Sequence, residues 1–234
     1  MVERFLQILM VFMATHFDLQ EQEQLATLKH FWSSWGTLIS VAVFAVVAAI
    51  AGFNGYQYWQ SSQASKAAEL FDQVRVGTEQ QQADAVTQRL ELLQSSYGKT
   101  VQASQASLVA GRYWVEKENW AAAADAFKWV ASNSKDEGFR ALATLHLTSV
   151  QMQQQQWDTA LATLNGFSFP YEFRALRDDR KGDILQKQGK TQEAIAAYNA
   201  AFEAFEPTAR YRLVVQSKLN ALGQTPAALN RAGA

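Results

Sequence analysis

Residues 176–205 read LRDDRKGDILQKQGKTQEAIAAYNAAFEAF, and this stretch decides the fold class. In its second half, apolar residues recur every three to four positions, from Ala194 through Tyr198 to Phe202, which predicts an amphipathic helix. Gly189 lies in a turn just before this helix, and Pro207 predicts its end and the start of the next. The stretch therefore indicates a hairpin of two helices.

The same pattern occurs twice more upstream. When Trp120, Trp157 and Thr191 are aligned, the copies are 37 and 34 residues apart. A small residue precedes each aligned position by nine, an alanine follows by three, and a large residue follows by seven. The residues predicted to pack the repeats are Gly111, Trp120, Ala123, Phe127, Trp157, Ala160, Leu164, Gly182, Gly189, Ala194 and Tyr198.

This pattern resembles the tetratricopeptide repeat, in which a small residue on the first helix lets the second approach closely. A helical bundle with chance periodicity is the alternative. Stacked hairpins of this kind commonly bind peptides on their inner face. In the register that the resemblance implies, that face comprises Leu108, Arg112, Val115, Leu145, Ser149, Met152, Asp179, Asp183 and Gln186.

Weaker helical patterns flank the three copies, as expected of the capping units of a repeat array. Residues 67–97 carry a less regular pair of helices. Residues 208–222 predict a final helix that Gly223 stops.

An apolar segment precedes the repeats. Residues 36–53 carry no charge, and their 18 positions just suffice for a helix to cross the hydrocarbon core. A buried core helix and a cleaved signal peptide ending near Ala51 are the alternatives. The predicted span includes Gly36, Leu38, Ile39, Val43, Phe44, Val47, Ile50 and Phe53, and the predicted interfacial aromatics are Trp32, Trp35, Tyr56, Tyr58 and Trp59.

The domains expected from this organisation are an N-terminal tail (1–30), a membrane anchor with aromatic flanks (31–60) and a tetratricopeptide-like repeat domain (61–234). Residues 1–12 are an upstream start that the cell does not use or a small interfacial helix. Lys29 lies closer to the span than Lys66, which favours a cytoplasmic N-terminus. The predicted fold class is all-α: one N-terminal transmembrane helix followed by a tetratricopeptide-like helical-hairpin solenoid.

The chemistry of the chain indicates a binding protein and not an enzyme. The 21 basic and 22 acidic residues nearly balance, which argues against nucleic acid as a partner, and the absence of Cys excludes thiol chemistry. No metal-ligand, phosphate-loop or nucleophile motif occurs, so no cofactor is expected. Asp178, Asp179 and Asp183 lie among basic residues, including Arg180, and are interpreted as a solvated, salt-bridged helix face.

The whole arrangement from about Met13 onward resembles the YfgM-type family, ancillary subunits of the bacterial SecYEG translocon. The segment Leu176 to Leu185, running into Gly189, is the most specific match, and Gly111-Arg112-Tyr113 and Gly55 to Trp59 are softer ones. A short acidic tail before a single span also matches.

The resemblance implies a single-pass protein of the bacterial inner membrane with its repeats in the periplasm. The implied partners are Sec translocon subunits, a membrane-anchored periplasmic chaperone and unfolded exported proteins. The implied role is to help transfer exported proteins to periplasmic chaperones. The alternative is an anchored repeat scaffold of another envelope-assembly or cytochrome-maturation complex.

Overall fold

The computed structural model describes residues 19–232, so the predictions for residues 1–12 lie outside the described part. Every regular element in that range is helical, which confirms the predicted all-α class. The helices are α1 (Leu19–Glu79), α2 (Ala83–Tyr97), α3 (Val101–Glu116), α4 (Trp120–Asn133), α5 (Glu137–Gln153), α6 (Trp157–Asn165), α7 (Arg174–Lys187), α8 (Thr191–Ala204), α9 (Tyr211–Ala221) and α10 (Ala227–Ala232), with a 3-10 turn at Tyr171–Phe173 before α7.

Helix α1 is 61 residues long, and the boundary between two compact units falls within it, between Gln60 and Ser61. It is the described helix that is long and apolar enough to cross a membrane, with an 18-residue window of mean hydropathy 2.3. Only 6% of that window is buried. This exposure contradicts the alternative of a buried core helix, because a core helix needs a packing partner on at least one face.

The structure places the predicted anchor residues on this exposed helix. Gly36 is buried against the ring of Trp32, Ile39 is half-buried, and the other predicted span residues are exposed. The aromatic residues at both ends of the apolar segment are exposed as well: Trp32, Trp35, Tyr56, Tyr58 and Trp59.

Four helical hairpins, followed by α9 and α10, form the described part of the second unit. The hairpins are the end of α1 with α2, α3 with α4, α5 with α6, and α7 with α8. Each turn has the same geometry. The residue two positions before the second helix has a positive φ: Gln81 (58°), Glu118 (55°), Gln155 (58°) and Gly189 (76°). The next amide donates to a carbonyl five residues back, as from Asn119 to Trp114 at 2.9 Å and from Lys190 to Leu185 at 2.9 Å. These are Schellman caps, and they fix the angle of every hairpin.

We expect Gln155→Gly to raise the free energy of unfolding by about 0.5–1 kcal/mol, because a side chain in the left-handed region costs energy that glycine avoids. Gly189→Ala should lower it by about 1 kcal/mol for the same reason. Urea unfolding of the full chain in mild detergent measures both. Gln154→Gly is the matched control: Gln154 has φ −81°, so glycine there should not stabilise the protein. Equal effects at positions 154 and 155 would contradict the explanation.

Close helix contacts within the hairpins depend on small residues. A Cβ added at Gly111 would lie 2.5 Å from Cε1 of Phe127, and one at Gly182 would lie 2.5 Å from Cδ1 of Tyr198. In the intervening hairpin the equivalent residues are Thr148, fully buried, and Leu164. In two of the three copies the glycine therefore faces the aromatic ring of the same repeat. In the copy between them the first residue, Thr148, is larger and the second, Leu164, is smaller.

Three apolar clusters follow one another along the repeats, and together they form the core. The first joins the end of α1 to α5, with Val74, Leu93, Phe127 and Val130 buried. The second lies among α5, α6 and α7, and the third among α7, α8 and α9. Helix α6 has only nine residues, and Phe169 from the segment after it completes the second cluster at 5% exposure. Helices α5 and α7 each contribute to two of these clusters, so the clusters follow one another along the array.

The C-terminal end differs from its prediction. The sequence places a helix over residues 208–222, whereas α9 begins only at Tyr211. Pro207 lies in a turn instead of starting the helix, and Arg212 sets the start of α9 by donating from Nε to the carbonyl of Phe202 at 3.1 Å. The short helix α10 is absent from the prediction, and the amide of Ala227 bonds to Oδ1 of Asn199 at 2.8 Å at its start.

Candidate functional site

The first helices of successive hairpins, α3, α5 and α7, present equivalent residues to one surface, here called the inner face. The repeat spacing makes Arg112 on α3 equivalent to Ser149 on α5 and Asp183 on α7. By the same spacing, Val109 is equivalent to His146 and Arg180. The fold thus presents the same two repeat positions three times, each time with different side chains. The gaps between neighbouring first helices therefore differ in charge and polarity.

A pocket of about 260 Å³ opens between α3 and α5, with α4 beneath it. Four apolar residues form part of its lining: Val115, Trp120, Phe127 and Val150. The polar residues of the lining are Arg112, Glu116, His146, Ser149 and Gln153. Apolar side chains with a few convergent polar groups are the usual composition of a binding pocket.

A second pocket, of about 290 Å³, adjoins the first. Its lining includes Thr78 and Glu79 from the end of α1 and Val109 from α3. Arg112 and Glu116 line both pockets. The guanidinium and the carboxylate therefore lie where a ligand in either pocket reaches them.

His146 lies half-buried in the first pocket. Its ring stacks on Phe127 with centroids 5.0 Å apart and an angle of 19° between the ring planes. Burial lowers the pKa of His146, and the positive charges of Arg180 and Arg112 lower it further. The imidazole is therefore held in its neutral form near pH 7, and the stacked pair acts as an apolar wall.

The lowered pKa of His146 predicts how the stability of the protein changes in acid. His146 binds a proton at a higher pH in the unfolded state than in the folded state. Its contribution to the free energy of unfolding is therefore complete above about pH 6.5 and is lost as the pH falls. We expect the free energy of unfolding to decline between pH 7 and pH 5, and His146→Gln to flatten that decline. Urea titrations at several pH values test this. A wild-type profile that is as flat as that of the variant would contradict it.

The inner face at α7 is occupied by other side chains of the chain. Lys218 on α9 donates from Nζ to Oδ1 of Asp179 and of Asp183, both at 2.7 Å. The hydroxyl of Tyr211 donates to Oδ2 of Asp179 at 2.9 Å, and that of Tyr198 donates to Oδ1 of Asp183 at 2.8 Å. We call these five residues the C-terminal network.

Burial and the neighbouring carboxylates raise the pKa of both tyrosine hydroxyls. Burial is the main cause that raises the pKa of Tyr211 to about 12, and Asp179 adds to it. Burial likewise raises the pKa of Tyr198 far above its ordinary value, with Asp183 contributing. Both phenols therefore stay protonated and donate hydrogen bonds at physiological pH.

The network corrects the interpretation of the aspartates as a solvated helix face. Asp179 is 2% exposed, and its charge partner is Lys218, 39 residues away, and not a basic residue of its own helix. Asp178 does pair locally, with Arg177 at 2.7 Å. The prediction fails at Asp179 because α9 packs over that side of α7 and brings a lysine to it. Within the described residues, no three His, Asp or Glu side chains are grouped closely enough to hold a metal ion.

The family comparisons agree with this architecture. A family model described as a tetratricopeptide repeat-like domain matches residues 29–224. The chain is 33% identical over 211 residues to a Neisseria gonorrhoeae protein named "Ancillary SecYEG translocon subunit", covering 90% of this chain and all of that protein. This chain belongs to the family of ancillary SecYEG translocon subunits.

Two further members of the family carry the same name. The Haemophilus influenzae protein is 28% identical over 80% of this chain and 90% of its own length. The Escherichia coli protein is 29% identical over 53% of this chain and 59% of its own length. No solved structure matches the chain significantly.

In this member of the family, the structure distributes the nine inner-face residues among three environments. Arg112, Val115 and Ser149 line the first pocket. Leu108 and Leu145 are buried at 8% and 7% exposure and belong to the apolar core. The remaining residues lie near α7: Met152, whose Sδ is 4.0 Å from Nη1 of Arg180, Gln186, whose Oε1 is 3.0 Å from the Tyr198 hydroxyl, and Asp179 and Asp183 in the C-terminal network.

The sequence prediction missed four residues of the first pocket, Glu116, His146, Val150 and Gln153, and it missed the lysine. Glu116 and Gln153 follow Arg112 and Ser149 by four residues, so extending the predicted face by one helical turn finds them. His146 is the repeat equivalent of Val109, so the repeat spacing identifies it as an inner-face residue. Lys218 has no such signal, because α9 lies beyond the last regular repeat and its register is not set by the spacing.

Proposed function

We propose that the protein is a single-pass inner-membrane adaptor that associates with the Sec translocon and binds protein segments through its repeat domain. The observation that carries the proposal is the likeness to the N. gonorrhoeae ancillary SecYEG translocon subunit over the whole of that protein. The long apolar α1 supports membrane attachment, and the repeat domain with its open pocket supports protein binding.

Within this proposal, the repeat domain lies in the periplasm and helps transfer exported proteins to a membrane-anchored chaperone. Its role is non-catalytic. The position of Lys29 before the span supports a cytoplasmic N-terminus. A pocket with apolar lining supports contact with unfolded segments, because such segments expose apolar side chains that folded proteins bury.

Copurification tests the translocon association. The full chain, carrying an affinity tag at its C-terminus, is extracted in mild detergent and its partners are identified by mass spectrometry. Translocon subunits and a periplasmic chaperone are expected. Recovery of cytochrome-maturation or other envelope-assembly proteins without translocon subunits would overturn the proposal.

A topology fusion tests the periplasmic orientation. Alkaline phosphatase fused after the last residue is active only when exported, so activity is expected. A stable but inactive fusion would place the repeats in the cytoplasm and refute this part of the proposal.

A pocket-filling variant tests the binding surface. Ser149→Trp places a large side chain in the first pocket and is expected to reduce crosslinking to exported proteins during their translocation. Ser132→Trp, on the exposed surface of α4, is the matched control and should leave crosslinking unchanged. Equal crosslinking by both variants would show that the pocket is not the binding surface.

A further inference from the structure

Two arginines of the inner face lack an acidic partner. Arg112 and Arg180 form no ion pair with any residue that the structure describes. By contrast, Lys218 at the C-terminal end of the same face holds two carboxylates at 2.7 Å. Arg180 is half-buried, with Nη1 only 4.0 Å from the sulfur of Met152. Lys218 therefore neutralises the carboxylates at α7, whereas the guanidinium of Arg112 and the carboxylate of Glu116 both line the pocket without an ion pair to a described residue.

The charges of the two guanidinium groups both act on the ring of His146. Arg112 lines both pockets, and Arg180 is the equivalent of His146, which lines the first. Both arginines contribute to the low pKa of His146, which shows that their fields overlap at this ring. Since His146 stays neutral, Arg112 is the positively charged residue of the pocket lining, and the charge of Arg180 acts on His146 from outside that lining.

Part of the pocket lining is apolar and comprises Val115, Trp120, Phe127 and Val150. The whole pocket has a volume of about 260 Å³, which is large enough for one bulky side chain. A buried apolar anchor with a charged group at its rim is a common arrangement at energetically important points of protein interfaces.

We propose that the pocket between α3 and α5 binds a protein segment in which a large apolar side chain is followed closely by a carboxylate, with the apolar side chain in the pocket and the carboxylate on Arg112. This inference rests on the proposed function and specifies its substrate chemistry. The carboxylate is the side chain of an aspartate or glutamate within the segment.

Glu116 limits the number of acidic residues that a bound segment can carry near the pocket. Its carboxylate lies one helical turn from Arg112 and lines both pockets, yet it makes no ion pair within the described part of the chain. A single carboxylate meets the arginines, whereas a run of acidic residues also meets Glu116 and is repelled. The site thus favours an isolated acidic residue beside an apolar one.

A peptide array measures this preference. Fifteen-residue peptides carry a central Phe or Ala followed by Asp, Asn or Lys in an otherwise uncharged Gly/Ser background. A second set ends at the Phe with either a free carboxylate or an amide. The full chain in mild detergent is the probe. We expect the Phe–Asp peptide to bind about tenfold better than Phe–Asn, since a charge-assisted hydrogen bond contributes that much. Ala–Asp should bind at least as weakly as Phe–Asn.

Charge variants identify the residues responsible. Arg112→Gln should abolish the difference between Asp and Asn, Arg180→Gln should reduce it, and Glu116→Gln should strengthen binding of the Phe–Asp peptide. Arg89→Gln, on α2 away from the pocket, is the control and should change nothing. Circular dichroism verifies that each variant is folded. The free-acid peptide should bind more weakly than the Phe–Asp peptide, and a free-acid peptide that binds as tightly would overturn the inference by showing that the site takes a chain terminus.

The outcomes separate this inference from the proposed function. Equal binding of Asp and Asn peptides, an Asp preference that survives Arg112→Gln, or no binding of any peptide overturns the inference. If translocon subunits still copurify in those cases, the proposed association stands. Loss of copurification from the wild-type chain overturns the proposed function itself, irrespective of the array.

Discussion

Lys218→Met is expected to lower the free energy of unfolding by about 3–5 kcal/mol, the largest effect of any single substitution considered for this chain. The lysine is the charge partner of Asp179, whose side chain is 3% exposed, and it also holds Asp183. Its removal leaves a buried carboxylate with only the hydroxyl of Tyr211, and a second carboxylate close by. Urea unfolding of the full chain in detergent, followed by tryptophan fluorescence, measures the loss.

Two further variants show whether the uncompensated charge is the cause. Adding Asp179→Asn to Lys218→Met should restore most of the loss, because the amide keeps an acceptor for Tyr211 and removes the charge. Lys187→Met, at an exposed position on α7, should change stability by less than about 0.5 kcal/mol. If the double variant is no more stable than Lys218→Met, lost packing and not charge explains the effect.

Gly111→Thr is expected to cost about 2–3 kcal/mol and to lower the melting temperature by about 5–10 °C. The added Cβ would lie 2.5 Å from a ring atom of Phe127, and that ring is 1% exposed and cannot move away freely. Phe127→Leu alone should cost about 1–2 kcal/mol through the cavity it leaves. Thermal unfolding monitored by circular dichroism measures each variant.

The hairpin of α5 and α6 supplies the compensating pair. It has Thr148 and Leu164 at the equivalent positions, so Gly111→Thr combined with Phe127→Leu reproduces a pairing that the fold already contains. The double variant should be more stable than the sum of the two losses by at least about 2 kcal/mol. The reverse exchange, Thr148→Gly with Leu164→Phe, should show the same coupling. Additive losses in both hairpins would refute the complementarity.

The repeat spacing alone is sufficient to predict the hairpins, because the residues that determine them are local. A small residue, an alanine and a large residue at fixed distances specify how two adjacent helices pack, and the structure places Gly111 against Phe127 and Gly182 against Tyr198. The apolar segment is equally local, since length and the absence of charge define it. The hairpins and the apolar segment are therefore the parts of the fold that a single sequence is enough to predict.

The inner face was harder to predict because its chemistry depends on residues distant in sequence. Leu108 and Leu145 occupy inner-face positions, yet neighbouring helices bury them. Asp179 meets Lys218 only because α9 packs beside α7. The repeat register identifies which residues share a face, whereas the irregular ends of the array decide which of them remain open.

The C-terminal network also has a kinetic consequence. Because its side chains occupy the inner face at α7, the described pockets lie toward α1, α3 and α5, and a captured segment has one anchor there. A single anchor gives modest affinity: a dissociation constant of about 10 µM with an association rate constant of about 10⁶ M⁻¹s⁻¹ corresponds to a residence time of about 0.1 s. Such quick dissociation is what the proposed transfer of exported proteins to a chaperone requires, because release then needs no energy source.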